Sequence, residues 1–345
     1  MAKQGEQKRS RPTIHGVAAR AGVSTATVSK VVNGKKTGVS AETRRRVEAA
    51  IREMGYRPNR IGRNLRTQRH GAVGLAIVDP SPRFLADPFT TNLVAGLSNH
   101  LSKNDFGLLL YGVLPGRLAE CSLIRISQVD AICLNPSGDR AERIESMRLV
   151  AGLGQPLVVF QDQPVPDLPD ACFVRQDDHG GSAAIARELL RRNPRRAAMV
   201  ITDIQWPAVE NRVAGVSEVF ADHNVTLDLI PCDETSAVAI TDATTRYLDR
   251  NGIPDVIVGQ NDQIAIAAIQ VLRSRGLRVP EDVAVSGFNA FPFTGLAVPP
   301  LTTVKSRAYE IGVTAAGAII ERLESGIFSE TDHLLPLELV HGQSI

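Results

Sequence analysis

Residues 24 to 33, S-T-A-T-V-S-K-V-V-N, mix hydroxylated, small and apolar side chains with one lysine. Val28, Val31 and Val32 recur at helical spacing and form an inner face, which turns Thr25, Ala26, Ser29 and Lys30 outward. That outer face suits one kind of chemistry. Hydroxyls bond to several base edges, the methyls of Thr25 and Ala26 can touch a thymine methyl, and small side chains let the backbone come close. A helical hairpin buried in some core is the plain alternative for the same pattern.

The flanking elements would hold this face in place. Ile14, Val17, Ala18 and Ala21 give a first short helix one apolar side, with Thr13 as its cap. Gly22 can take the positive φ of a tight turn, and Ser24 can cap the second helix, from Thr25 to about Val32. Helix, glycine turn and helix with an inner seam is the helix-turn-helix pattern, whose second helix enters the major groove of DNA. After Asn33, Lys35 and Lys36 suit phosphate contacts. Ser40 caps a third helix to about Met54, with Val47, Ala50, Ile51 and Met54 inside, and at least one of Arg44, Arg45 and Arg46 should face phosphates. Pro58 should stop that helix, and Asn59 can cap a short new one.

Charge divides the chain. Through Arg69 there are 17 Lys and Arg against 4 Asp and Glu; the remainder has 22 against 33, so a net charge of +2 hides a basic head on an acidic body. That asymmetry reads as a polyanion binder carried by a soluble domain. The first twelve residues form a polar, basic tail, expected to be disordered until DNA is near. The four cysteines are far apart and read as thiols of a reducing cytosol. No signal peptide and no membrane span is visible, so the expected location is the cytoplasm, at the nucleoid. No nucleophile elbow, P-loop, zinc-protease or dinucleotide motif occurs, and Asp177-Asp178-His179 reads as the start of a helix rather than a metal site. The expectation is a protein that is no enzyme and holds no cofactor or metal.

From Ala72 onward, apolar strands alternate with helices. A-V-G-L-A-I-V, G-L-L-L-Y, D-A-I-C-L and P-L-V-V-F form one series; A-C-F-V, A-A-M-V-I-T, D-V-I-V-G and V-A-V-S-G-F form a second. Such alternation means parallel sheets covered on both faces, and two series mean two subdomains with a ligand cleft at the strand C-termini.

The string A-x-x-A-G-V-S-x-x-T-V-S, read at Ala18, Ala21, Gly22, Val23, Ser24, Thr27, Val28 and Ser29, resembles the headpiece of the LacI/GalR family of bacterial transcription regulators. One departure is Gly16, where the family usually has Asp. Thr13 then caps without a reciprocal acid, and the helix should be weaker by roughly 1–2 kcal/mol. The resemblance implies DNA contacts from Thr13, Ser24, Thr25, Ala26, Thr27, Ser29, Lys30 and Asn33. It continues through Pro58, Asn59, Arg63 and Leu65 as a hinge helix, in which Leu65 wedges into the minor groove at the operator centre. Gly62 departs from the usual Ala there. A segment this short should fold only when DNA and the partner's hinge are both present.

The body resembles the family's periplasmic-binding-protein-like effector domain, most specifically at Asn261-Asp262, at 275–280, at Ser286-Gly287-Phe288 and at 299–304. The implied fold is an all-α helix-turn-helix headpiece plus an α/β effector domain of two doubly wound parallel-sheet subdomains. The expected division is a tail at 1–12, the DNA-binding domain at 13–57, hinge and linker at 58–70, and effector binding and dimerisation at 71–345. Within the last, one subdomain takes about 71–161 and 291–320, the other about 162–290 and 321–345. Arg212 in N-R-V-A-G matches the family's effector-binding arginine, and a planar fork of donors suits vicinal hydroxyls or a carboxylate. Asn261 follows a strand end and either caps a helix or faces the ligand, or both. Phe89 either stacks on a ring or packs in the core. Gln161 or Asp162 should lie at a crossover hinge and touch the ligand. Asn289 stands where many sugar-binding relatives carry Asp, which leaves a sugar, a sugar acid or another small polar metabolite open.

The expectation is therefore a homodimeric regulator, in the main a repressor, of a pseudo-palindromic operator in double-stranded DNA, controlled by a small polar effector. Its rivals are a solute receptor, against which the basic head argues, and a sugar-processing enzyme with a DNA-binding head.

Overall fold

The computed structural model describes residues 12–32, 34, 37–56, 69–126 and 128–345. The chain divides into two compact units, Met1–Arg69 and His70–Ile345, each described by itself below. The basic tail, Asn33, Lys35, Lys36 and the hinge residues Asn59, Arg63 and Leu65 lie outside the described residues.

The head holds three helices, α1 (Ile14–Ala21), α2 (Thr25–Val32) and α3 (Ala41–Met54). Their ends follow from local chemistry. The Gly16 N–H donates to Thr13 Oγ1 (3.2 Å), Thr27 N–H to Ser24 Oγ (3.2 Å) and Thr43 N–H to Ser40 Oγ (3.2 Å). Gly22 (φ 63°) and Gly55 (φ 61°) close α1 and α3 in the left-handed region, so Gly55 rather than Pro58 ends α3. Val17, Val28 and Val47 are fully buried where the helices meet, with Ala18, Ala21, Val31 and Ala50 around them. Arg46, though exposed, reaches across to donate to the Ala21 carbonyl at 2.9 Å, where it satisfies the end of α1. A Cβ on Gly16 would fall 2.9 Å from Met54 Cε, so the tip of the Met54 side chain from α3 covers α1 at the position where the acid is missing.

The body is two layered α/β lobes. The first is built from β1 (Ala72–Val78), α4 (Pro88–Lys103), β2 (Gly107–Val113), α5 (Ser122–Arg125), β3 (Ala131–Asn135), α6 (Arg140–Ala151), β4 (Leu157–Phe160) and β5 (Ala171–Gln176). The chain crosses to α7 (Asp178–Leu189), β6 (Arg196–Thr202), α8 (Pro207–Asp222), β7 (Thr226–Cys232), α9 (Ala237–Asn251), β8 (Val256–Gly259), α10 (Asp262–Ser274) and β9 (Ala284–Ser286). Then come β10 (Thr303–Lys305), α11 (Ala308–Ser325), β11 (Asp332–Leu335) and β12 (Glu338–Val340). The first sheet has the order β11-β5-β4-β3-β1-β2, the second β7-β6-β8-β9, and every pairing in both is parallel. Apolar clusters cover both faces of each sheet. On the first, α4 and α11 touch backbone to backbone: a Cβ on Gly96 would meet the Tyr309 carbonyl, and one on Gly312 the Leu93 carbonyl. Among the described residues no helix is long and apolar enough to cross a membrane.

The lobe boundaries differ from the sequence reading. A-C-F-V, taken as the opening strand of the second series, is β5 and pairs with β4 in the first sheet, with Cys172 opposite Val158. The chain therefore leaves the first lobe after Gln176, not after Gln161. It returns near Ser306 rather than near residue 291, because β10 pairs with β12 and Ala297 and Leu301 pack in the second lobe's core. Residues 332–335 then add β11 to the first sheet. A buried parallel strand reads as the same apolar run in either sheet, so only its pairing partner assigns it.

Candidate functional site

In the head, α2 shows Ala26 and Lys30 to solvent and leaves Thr25, Thr27 and Ser29 half exposed, while Val28 and Val31 are buried. Thr25 and Ala26 thus occupy the outer side of the first turn. Ser24 and Thr27 share a hydroxyl–hydroxyl bond of 3.0 Å at the cap, which engages both with each other. Thr13 is likewise engaged as the cap of α1.

In the body, a cleft of about 500 Å³ opens between the lobes. Strand C-termini supply much of its wall: Asp79 after β1, Asn135 at the end of β3, Gln161 after β4, Ile204 after β6, Gln260 and Asn261 after β8, and Asn289 after β9. Phe84, Phe89 and Trp206 add aromatic surface.

Arg212 is the keystone of the cleft floor. It comes from α8 and is only 5% exposed. Its Nε donates to Asp178 Oδ1 (2.8 Å), Nη1 to the Gln260 carbonyl (2.7 Å) and Nη2 to Asn289 Oδ1 (3.4 Å), and its guanidinium lies 3.8 Å from the Phe288 ring centroid. Asp178 is held further by Gln161 and Gln176 side-chain amides, each donating at 3.0 Å. Burial pushes the Asp178 carboxyl up, and Arg212 with these amides pulls it back. Gln176 also accepts from the Arg307 N–H (3.0 Å), so it ties the first crossing to the return. Gln161 (φ 62°), Asn289 (φ 112°) and Ala290 (φ 50°) sit at positive φ, strain that non-glycine residues hold only when their surroundings fix them.

Of the residues singled out in the sequence, Phe89, Gln161, Arg212, Asn261 and Asn289 all line this cleft. Asn261 both caps α10, accepting from the Ile264 N–H (2.9 Å), and donates to Glu234 (2.8 Å). Phe89 lines the cleft and also packs on the first lobe's core. Asp162 does not line the cleft. It points the other way, 3% exposed, and accepts from Arg143 Nε (2.7 Å) and the Gln163 N–H (2.8 Å). Both residues lie past the end of β4, where Gln161 turns the chain at positive φ, and Asp162 is taken up by its buried pair with Arg143.

Three residues were missed. Asp178 looked like one more acid at a helix start, yet Asp177 is the cap, accepting from the Gly180 N–H (2.8 Å). A buried arginine on α8 demanded a counter-charge, and that was the available signal. Glu234 accepts from Gln260 and Asn261 at 2.8 Å each; burial and then the Asp87 charge push its carboxyl up. No sequence feature marks it. Trp206 is the single tryptophan of the chain and begins α8 as W-P, which could have placed it at a strand-to-helix turn.

Comparison with known proteins agrees with this geometry. Residues 13–59 match the model of bacterial regulatory proteins of the lacI family, and residues 186–345 match a periplasmic binding protein-like domain. The chain is 31% identical over 328 residues to the HTH-type transcriptional regulator CelR of Thermobifida fusca, covering 92% of this chain and 93% of that one. It is 27% identical over 334 residues to the ribose operon repressor of Bacillus subtilis (strain 168), covering 95% and 97%. Among solved structures, a CelR–cellobiose complex is similar at 29% identity with a TM-score of 0.70, over 97% of this chain and 100% of that one. The lac repressor dimer bound to operator and the anti-inducer ONPF shares the fold with a TM-score of 0.84 at 24% identity, covering 97% and 99%. With a three-helix reading head, a two-lobed body and a regulator of the same kind matched along nearly its whole length, the chain belongs to the lacI family of bacterial transcription regulators.

Proposed function

We propose that this regulator is a cytoplasmic repressor whose homodimer reads the half-sites of a pseudo-palindromic operator through α2, and whose cleft takes an uncharged sugar of about disaccharide size. The cleft lining carries this reading. Asp79, Asp87 and Glu234 face the cleft against Arg83 and Arg212, and the Arg212 charge is already matched by Asp178. The remaining field is acidic and penalises a sugar acid or a phosphate. Carboxylates and side-chain amides together accept from and donate to ring hydroxyls, and Trp206, Phe84 and Phe89 can cover the apolar face of a sugar ring. About 500 Å³ lies within the range of sites that enclose drug-sized ligands. The cellobiose complex of the relative CelR supports a disaccharide. The sugar acts through its difference in affinity for two lobe arrangements, each with its own operator affinity.

Because Trp206 is the single tryptophan and lines the cleft, its fluorescence reports occupancy directly. Cellobiose and other neutral disaccharides are expected to change the emission saturably, whereas gluconate and glucose 6-phosphate at the same concentrations leave it unchanged. Saturable binding of the anions with none of the neutral sugars would overturn the charge argument.

A further inference from the structure

We propose that Arg143 is a clasp between the two lobes and, with Glu210, positions the elements that carry Gln161 and Arg212 into the cleft. The proposal rests on the reading of the cleft as the effector site. Arg143 lies on α6 of the first lobe and is 2% exposed. Its Nε donates to Asp162 Oδ2 (2.7 Å), within its own lobe. Its Nη1 and Nη2 donate to the two carboxylate oxygens of Glu210, both at 3.0 Å, and Glu210 sits in the first turn of α8 in the second lobe. Beside this pair, the Gly138 N–H donates to the Gln205 carbonyl (3.1 Å), a backbone bond between the lobes.

Arg143, Asp162 and Glu210 do not themselves line the cleft, yet each adjoins a residue that does. Asp162 follows Gln161, and Glu210 precedes Arg212 by two positions on α8. A two-pronged guanidinium–carboxylate contact fixes angle as well as distance, which a lysine cannot do. Burial works against the Arg143 charge, and the Glu210 and Asp162 carboxylates more than offset it, so the cation is kept.

The two legs of the clasp are unequal. Asp162 is buried with Arg143, whereas the Glu210 side chain is 49% exposed. If the lobes part, Glu210 returns to water and Arg143 keeps a buried counter-charge. Release therefore strands no lone ion in the interior, and the contact can switch. Engaged, it favours the arrangement in which Gln161 and Arg212 border the same volume, so part of the ordering needed for binding is already done.

The test uses the full chain carrying Glu210→Gln or Arg143→Lys, neither of which leaves a lone buried charge. Amide hydrogen exchange over residues 136–142 is expected to quicken about fivefold in both, while peptides from β1 and β4 stay as in the wild type. Cellobiose affinity, read from Trp206 emission, is expected to fall about fivefold, at the low end of measured inter-site couplings. Added salt should weaken cellobiose binding by the wild type and leave Glu210→Gln indifferent. Unchanged exchange at Gly138 overturns the clasp, whatever cellobiose does. If the wild type fails to bind cellobiose, the disaccharide reading falls while the exchange result still decides the clasp.

Discussion

Replacing Arg212 by alanine is expected to cost the body about 3–5 kcal/mol and to abolish its response to sugar. The loss exceeds that of a ligand contact because Arg212 compensates Asp178 where both are almost fully buried, with side chains 6% and 2% exposed. The Gln260 carbonyl and Asn289 lose their donor as well. The penalty should depend on pH with a defined sign. Burial already raises the Asp178 carboxyl above its ordinary range, and Arg212 is the first of the groups that lower it. Without Arg212 the folded state holds the Asp178 proton to higher pH than the unfolded chain does. The variant keeps its stability at low pH and loses it as pH rises through the shifted value. In calorimetry of the full chain, the body's midpoint is expected to fall on the order of 10 °C at pH 8 and by less at pH 5. Arg212→Ala combined with Asp178→Asn should regain part of the loss. An equal drop at both pH values would contradict the assigned ion pair.

The second large effect lies in the head. Val28→Asp is expected to abolish sequence-specific DNA binding and leave the body's transition and its sugar binding in place. Val28 is fully buried beside Val17 and Val47, in a core of seven buried residues. A domain this small holds only a few kcal/mol of stability, and burying a lone carboxylate costs several. The recognition face exists only while that seam is closed, since Thr25 and Ala26 face outward because Val28 and Val31 face in. Specific affinity should drop about 10³-fold or more, to the level of non-specific binding. Titration of labelled operator by anisotropy measures this, and retained specificity would remove α2 as the reading element.

The head was largely legible because its signals are local. Thr13, Ser24 and Ser40 cap helices within three residues of themselves, and Gly22 turns the chain where only a left-handed residue closes α1 cheaply. What Arg46 does was not legible, since its partner carbonyl at Ala21 is 25 residues away. The alternation of strands and helices in the body was legible as well, but not which sheet each strand joins. β5 and β11 belong to the first lobe because of whom they pair with, and pairing is a long-range property. Arg212, Asn261 and Asn289 stood out from the matched motifs. Asp178, Glu234 and Trp206 did not, because Glu234 and Trp206 border the cleft, and Asp178 meets Arg212, only once distant segments have folded together. Asp162 shows the converse. Its type and neighbours suited a ligand, but a partner 19 residues earlier in the chain, Arg143, holds it instead.

The central claim joins a reading head to a sugar-sensing body, and one measurement reaches both. The purified chain would be used to select from a random pool of double-stranded oligonucleotides at fixed, modest salt, with and without cellobiose. The account predicts enrichment of a pseudo-palindromic sequence whose retention shifts when the sugar is present. No enriched sequence under either condition, or an enriched site indifferent to every neutral disaccharide that binds the cleft, would contradict it.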